Sequence, residues 1–459
     1  MIKYWNQFRL WLRKSRPKLA PTQIIAIVFA LIILAGALLL NLPVSSRNGE
    51  SCGFIPALFT ATSATCVTGL VLFDTWTQWS GFGQTVIILL IEIGGLGFMS
   101  AASLVVFMLR RKIGLKQRML MAQALSMNEI EGVVRLQKWV LIGSLSVQCA
   151  GALVLFLRFW PEFGPGQAAV WGIFHSISAF CNAGFDIFGS IAPGDSIITF
   201  NNDPVVCITL MLLVVIGGLG FFVWEEVATK RHWHQFSVYT RLVLLTSGVL
   251  ILAGAVLICA LEWDNPETLG LMSTPQKILN GFFQSVTVRT AGFDSIGQAG
   301  MTDAGKALSA VLMFIGGSSG STAGGVKTVT MVVLLLFLGT RARGKHTVTV
   351  FHRTIPDEKV LDAMTIVSIV IVLALFGGIF LCATSPIGFT DALYESVSAL
   401  ATVGLTAGVT PSLSTASQLL IIVYMYFGRV GVLTISLGFL MGDKADERFR
   451  YATTNLLIG

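Results

Sequence analysis

Long apolar runs without an ionisable side chain recur along the chain. Residues 19–46, 139–157, 204–224, 242–261, 307–326, 363–390 and 396–428 contain no Asp, Glu, Lys or Arg, and residues 75–109 contain only Glu92. A helix that crosses a bilayer needs roughly 20 apolar residues, so the pattern predicts a polytopic membrane protein. Shorter apolar stretches lie between the long ones, at 54–64, 168–180, 275–287 and 388–400, each too short to span comfortably. The first run follows a basic start (Lys3, Arg9, Arg13, Lys14, Arg16, Lys18). It is longer than a signal peptide's apolar region and more spans follow, so a retained first helix is expected.

Composition agrees with the pattern. Of 459 residues 54% are apolar and 12% charged, with mean hydropathy +0.77, against about 25% charged in a typical soluble domain. This excludes a soluble multidomain enzyme and a disordered chain. The seven cysteines contain no CxxC and lie scattered through apolar stretches, so neither a disulfide framework nor a zinc site is expected.

The net charge of +7 is positional. Segments 1–20, 110–138, 227–241, 340–360 and 442–459 hold 24 of the 31 Lys and Arg residues. The positive-inside rule makes these five segments cytoplasmic, with a further attraction to anionic lipid heads. Five inside segments, both termini included, require four excursions and hence eight spans. Nothing in this distribution calls for nucleic acid.

Each excursion carries one of the short stretches, followed by a small-residue run with one glycine: TCVTGL (65–70), FCNAGF (180–185), VRTAGF (288–293) and LATVGL (400–405). The glycines, Gly69, Gly184, Gly292 and Gly404, are 115, 108 and 112 residues apart, and the residue ten before each is aromatic (Phe59, Phe174, Phe282, Tyr394). A second landmark follows each glycine: IGGLGF at 93–98 and 216–221, IGGSSG at 315–320 and FGRVG at 427–431. Landmarks in the same order mark internal repeats. The expected fold is an all-α membrane protein of four same-sense repeats, each a span, a re-entrant pore helix and a second span (M1–P–M2). Eight transmembrane helices and four pore helices then surround one potassium-channel-like pore. The divisions are a cytoplasmic N-terminus 1–20, repeats at 21–110, 138–227, 240–340 and 361–441, and a cytoplasmic tail 442–459.

Irregular backbone at membrane depth is tolerated only when buried in protein or lining a wet cavity. Four glycine strands around one axis would aim carbonyls at it, and such rings replace a cation's hydration shell. The short helices end just before each strand, so their partial negative charge favours a cation. Asp186 and Asp294, two residues past their glycines, are candidate outer-mouth acids that raise local cation concentration. A loop acid or a helix cap is an equal reading.

These four motifs, together with GGSSGSTAGGVKT at 316–328, resemble the KtrB-like potassium-translocating subunits of the Trk/Ktr/HKT superfamily, over almost the whole chain. The resemblance implies potassium uptake by a homodimer with one pore per subunit, seated on a cytoplasmic KtrA-like ring that binds nucleotide (ATP or ADP). It implies a bacterial inner-membrane location. This chain itself would need no cofactor; K+ is the transported ion and Na+ a candidate activator. The implied potassium ligands are backbone carbonyls of Val67, Thr68, Gly69, Asn182, Ala183, Gly184, Thr290, Ala291, Gly292, Thr402, Val403 and Gly404. Relatives that pass sodium can carry serine at the first glycine, so Gly69 argues for potassium preference.

The sixth span breaks at Gly316, Gly317, Ser318, Ser319, Gly320, Ser321, Thr322, Ala323, Gly324 and Gly325, where each glycine costs about 1 kcal/mol of helix stability. By the resemblance this stretch is an intramembrane gating loop under the filter, with Lys327 at its end and Arg429 projecting into the pore to bond loop carbonyls. A phosphate-binding loop is disfavoured because Val326 separates Gly325 from Lys327 and no strand precedes it. Glu92 is a candidate partner for a buried cation or a hydrogen-bonded carboxylate. Arg289, inside the third motif, should point behind the filter, with Glu395 as expected partner. His175, His232 and His234 form no metal or catalytic set, and no Ser/His/Asp triad or paired-carboxylate cluster emerges, which disfavours an enzyme. The alternative to a channel is a sodium-coupled potassium carrier with alternating access.

Overall fold

The structure, a computed structural model, describes residues 21–97, 119 and 132–431. The basic N-terminal segment 1–20, most of the 110–138 connection and the 442–459 tail lie outside the described residues.

The described residues are mostly helical. Its main helices are α1 (Pro21–Leu40), α2 (Phe54–Cys66), α3 (Gly81–Leu96), α4 (Val133–Cys181), α5 (Pro204–Leu219), α6 (Phe221–Thr229), α7 (Val238–Glu262), α8 (Thr274–Thr287), α9 (Asp303–Phe314), α10 (Thr328–Ala342), α11 (Asp357–Thr384), α12 (Phe389–Ala401) and α13 (Thr415–Val430). One antiparallel hairpin, β1 (Thr349–Val350) with β2 (Arg353–Thr354), joins α10 to α11.

Among the described residues, α1, α4, α7 and α11 are long and apolar enough to cross a membrane. Each opens one of the four expected repeats and packs on a short helix that follows it: α1 on α2, α7 on α8, α11 on α12. In the second repeat the long and short helices run together as α4, broken at Gly164, where φ is 77° and ψ 164°. Pro165 disfavours the α conformation at the residue before it, and glycine accepts the positive φ. The returning helices are shorter or broken. Helices α5 and α6 meet at a 95° bend, and α9 and α10 stand on either side of the 315–327 stretch. Among the described residues, length and apolarity alone thus give four or five crossings, and glycine-rich landmarks interrupt the returning helices.

Those landmarks have a packing role. A Cβ built on Gly94 would lie 2.8 Å from the Thr65 carbonyl carbon, and one on Gly428 3.0 Å from that of Leu400. One on Gly217 would overlap the Phe180 carbonyl oxygen. Thr65, Phe180 and Leu400 each lie four residues before a motif glycine, so three returning helices rest their backbone on the same carbonyl of a short helix. Small residues permit such approach between membrane helices. In the third repeat Gly316 packs instead on Gly324 of the glycine-rich loop.

Added methyl groups in a close-packed contact cost about 1–3 kcal/mol. Gly94→Ala, Gly217→Ala and Gly428→Ala should each lower stability by at least that much. Gly248→Ala, in α7 with nothing within 4 Å of its Cβ position, should be neutral or stabilising by about 1 kcal/mol. Thermal unfolding in detergent distinguishes them, and equal effects at all four positions would refute the packing role.

Candidate ion pathway

The four motif glycines meet. A Cβ built on Gly69 would lie 2.5 Å from the Ala183 carbonyl oxygen and 3.2 Å from Gly184 Cα; one on Gly184 would lie 2.7 Å from Gly292 Cα. One on Gly292 would lie 2.5 Å from the Val403 carbonyl oxygen and 3.4 Å from Gly404 Cα, and one on Gly404 2.8 Å from Gly69 Cα. Each strand adjoins the next and the fourth adjoins the first, so the strands close a ring in chain order.

Their backbones share one conformation. The residue two before each glycine has positive φ (Val67 58°, Asn182 60°, Thr290 75°, Thr402 51°), and so does each glycine (98°, 69°, 83°, 93°). Non-glycine residues rarely hold this region, and here the turn at the helix end holds it. Thr68, Ala183 and Val403 donate their N–H groups at 2.8 Å to the Ser63, Ser178 and Ser398 carbonyls, the six-to-one bond that closes a helix C-terminus. Gly69 N–H and Gly404 N–H donate to the hydroxyls of Ser63 and Ser398, at 3.0 and 3.1 Å. In the third strand Ala291 N–H and Gly292 N–H both donate to the Thr287 carbonyl. The strand N–H groups thus turn back to the short helices. Among the described residues no hydrogen bond ends on a carbonyl of Val67, Thr68, Gly69, Asn182, Ala183, Gly184, Thr290, Ala291, Gly292, Thr402, Val403 or Gly404.

Behind the strands, each repeat uses different side chains. His175 contacts the Trp171 carbonyl through Nδ1 at 2.7 Å and accepts from Ile187 N–H through Nε2 at 3.2 Å. Gln284 and Gln298 exchange amide bonds at 2.7 and 2.9 Å, and Tyr394 donates to Gln298 at 2.7 Å. Glu395 accepts from the hydroxyls of Thr406 and Thr410. Arg289 reaches Ser247 Oγ at 3.3 Å, on α7. The expected Arg289–Glu395 pair is therefore not formed: threonines of Glu395's own repeat satisfy its carboxylate, and Arg289 turns the other way, into a cavity of about 20 Å³ bordered by Gly218 and Gly317.

The two acids past the glycines accept N–H groups from the turns that follow them. Asp294 accepts from the N–H groups of Ile296, Gly297 and Gln298 at 2.9–3.0 Å. Asp186 accepts from Phe188 N–H at 3.3 Å. Burial, then the neighbouring Asp74 carboxylate and, to a lesser degree, Asp294, push the Asp186 carboxyl up to about 7.

The glycine-rich loop lies against one end of the ring. Gly316 N–H donates to the Val326 carbonyl at 2.9 Å, closing the loop's neck. Ser318 N–H and Thr322 N–H donate to the Gly218 and Gly217 carbonyls of α5, and Thr322 Oγ1 donates to the Phe180 carbonyl at 3.1 Å. A Cβ on Gly324 would meet the Ala401 carbonyl oxygen at 3.1 Å. Phe180 and Ala401 immediately precede the second and fourth strands. Arg429 donates to the carbonyls of Thr322, Gly94 and Gly95, the last at 2.9 Å. Lys327 Nζ donates to the Ala323 carbonyl at 2.8 Å. Glu92 accepts from Gln148 at 3.0 Å and from Cys181 at 3.4 Å, so neutral groups hold it. His232 and His234 lie exposed on the α6–α7 connection, and no group that could hold a metal occurs among the described side chains. Sequence reading missed the serine clamp, although Ser63, Ser178 and Ser398 stand six before three of the four glycines.

The family model described as "Cation transport protein", TrkH, matches residues 7–450. The chain belongs to the TrkH family. It is 41% identical to Ktr system potassium uptake protein B of Bacillus subtilis over 94% of this chain and 96% of that one. It is 38% identical to potassium/sodium uptake protein NtpJ of Enterococcus hirae over 97% and 99%. The crystal structure of the potassium transporter TrkH from Vibrio parahaemolyticus shares the fold, with TM-score 0.71 and 19% identity over 94% of this chain and 86% of that one. TrkH-family chains are membrane cation transporters and not enzymes. The ring of unengaged carbonyls therefore sits in a TrkH-family transporter whose close relatives take up potassium.

Ring geometry makes the glycines sensitive to substitution. Gly292→Ser sets a side chain at φ 83° against the Val403 carbonyl. Half-maximal uptake should require about tenfold more potassium, the equivalent of about 1.4 kcal/mol, and sodium should compete better. Unchanged potassium affinity and selectivity in a well-expressed Gly292→Ser protein would remove Gly292 from the ion path.

Proposed function

We propose that this protein takes up potassium down its electrochemical gradient through a channel-like pore, with the four glycine strands as selectivity filter. The observation that carries this reading is the closed ring of four strands whose carbonyls accept no hydrogen bond from the described protein. Cations with their hydration shell removed need such oxygens, and flanking helix C-termini add partial negative charge. The chain is read as four same-sense repeats with eight spans, both termini cytoplasmic, in a bacterial inner membrane. The relatives' names as Ktr system proteins support work with a regulatory partner; the homodimer and the cytoplasmic nucleotide-binding KtrA-like ring are what the sequence resemblance implies. Sodium enters as an activator.

The 316–325 loop is the proposed gate. It lies against the ends of two strands and is held by Arg429, whose charge there also repels cations. A sodium-coupled carrier with alternating access is the second reading, favoured by the name of the Enterococcus relative. Flux separates the two: a carrier moves sodium and potassium in fixed ratio, whereas the pore passes potassium without coupled sodium movement. Potassium-uptake complementation of a deficient bacterium, with and without a co-expressed regulatory subunit, tests the reading as a whole.

A gate held by few contacts should open when they are lost. A charge-assisted hydrogen bond contributes roughly 1.5–3 kcal/mol, so losing one shifts a closed-to-open equilibrium about tenfold to 150-fold. Deletion within 316–325 and Arg429→Ala should both raise unregulated potassium flux per folded protein, with selectivity kept. Lost uptake in place of a gain would make the loop a packing seam.

A further inference from the structure

Helix α6 and its connection to α7 form a segment tied to the glycine-rich loop near both ends. At the 95° bend after α5, Phe221 N–H donates to the Gly320 carbonyl at 2.8 Å. Eighteen positions on, in the first turn of α7, Tyr239 donates its phenol to the Ser319 carbonyl, also at 2.8 Å. Two adjacent loop carbonyls are thus held by two different helices.

Glu226 joins those helices into one piece. Its carboxylate accepts from Ser237 N–H at 3.0 Å, Ser237 Oγ at 2.9 Å and Lys230 Nζ at 2.7 Å. Ser237 is the N-cap of α7 and accepts from Thr240 N–H. Between the two anchor points the connection is exposed at Arg231, His232, Trp233 and His234. Arg241 donates to the His234 carbonyl at 2.6 Å, and its guanidinium carbon lies 5.8 Å from the centre of the Phe351 ring, beside the hairpin. A displacement of this exposed connection reaches the loop most directly through the Tyr239 hydrogen bond, since Phe221 lies at the far end of α6.

We propose that Tyr239 is a positioning residue for the 316–325 loop: it holds Ser319 in place and transmits movement of the 226–241 segment to it. This rests on the reading of the loop as a gate. The hold is separate from that of Arg429, which grips Thr322 from α13, three residues further along. Tyr239 adds a neutral hydrogen bond from the opposite flank, and its removal leaves the Arg429 contacts and the glycine ring untouched.

The test uses the full-length protein in liposomes without any regulatory subunit. Tyr239→Phe keeps the ring and deletes only the hydroxyl. Potassium flux per folded protein should rise about two- to tenfold, the range that one neutral hydrogen bond supports, with the potassium-to-sodium ratio unchanged. Glu226→Gln weakens the clamp on Ser237 and should raise flux less. Adding Tyr239→Phe to the loop deletion should give no further gain, because its target is gone. Wild-type or lower flux in folded Tyr239→Phe, beside a gain in the loop deletion, overturns the role of Tyr239 alone. An undiminished gain from Tyr239→Phe in the deletion background also overturns it. No gain in the loop deletion itself overturns the gate and this inference together.

Discussion

The structure turns on where the N–H groups of four short strands go. In each strand the N–H groups beside the motif glycine return to the helix that precedes it, through backbone carbonyls and, in two strands, a serine hydroxyl. A peptide whose N–H is engaged on one side presents its carbonyl elsewhere. Buried carbonyls without a partner are costly at membrane depth, and twelve around one ring form a polar site that the described protein does not satisfy. A desolvated cation is the partner that such oxygens fit.

That constraint explains what the four repeats share and what they do not. Positive φ recurs at the same two positions in every strand, and the returning helices press on the same carbonyl in three repeats. Side chains behind the strands differ completely: an imidazole in the second, a pair of amides in the third, a carboxylate with two threonines in the fourth. Backbone conformation is what the ring requires, and several side-chain sets can brace it. The third repeat departs furthest: it lacks the serine clamp, and its returning helix is split by the loop. The element that lies against the ring thus comes from the repeat whose returning helix is least regular.

The sequence made legible what depends on spacing and on residue size. Glycine at a constant place after a short apolar stretch, with a second glycine landmark behind it, located the strands, the loop and the helix contacts. Charge-free runs located the helices that open the repeats. Partner identity was not legible. Glu395 and Arg289 looked like a pair because both are ionisable residues in membrane segments, yet each finds hydroxyls nearer to hand: Thr406 and Thr410 for one, Ser247 for the other. Asp186 and Asp294 read equally as outer-mouth acids and as loop or cap acids, and the turn that follows each glycine supplies N–H donors to them. Only three-dimensional proximity decides between such alternatives, since hydroxyl and N–H donors are abundant and leave no charge signal. The αL residues before the glycines were hidden because Val and Thr disfavour that conformation, and Asn182 alone carries a preference for it.

Arg429 shows how the ring and the loop are linked. Its guanidinium bonds carbonyls of Thr322, on the loop, and of Gly94 and Gly95, at the end of α3. Gly94 is also the residue that packs on Thr65, just before the first strand. Thr322 in turn bonds Phe180, just before the second. One planar cation with several fixed donors therefore joins two places that each rest on the base of a strand. Helix ends point partial negative charge at that region, which favours the guanidinium there. On the proposed function a permeating cation would compete with it for the same field. Any movement that draws Arg429 off Thr322 and the end of α3 loosens the loop and, by the same step, withdraws a positive charge from the path along which a cation would leave the ring.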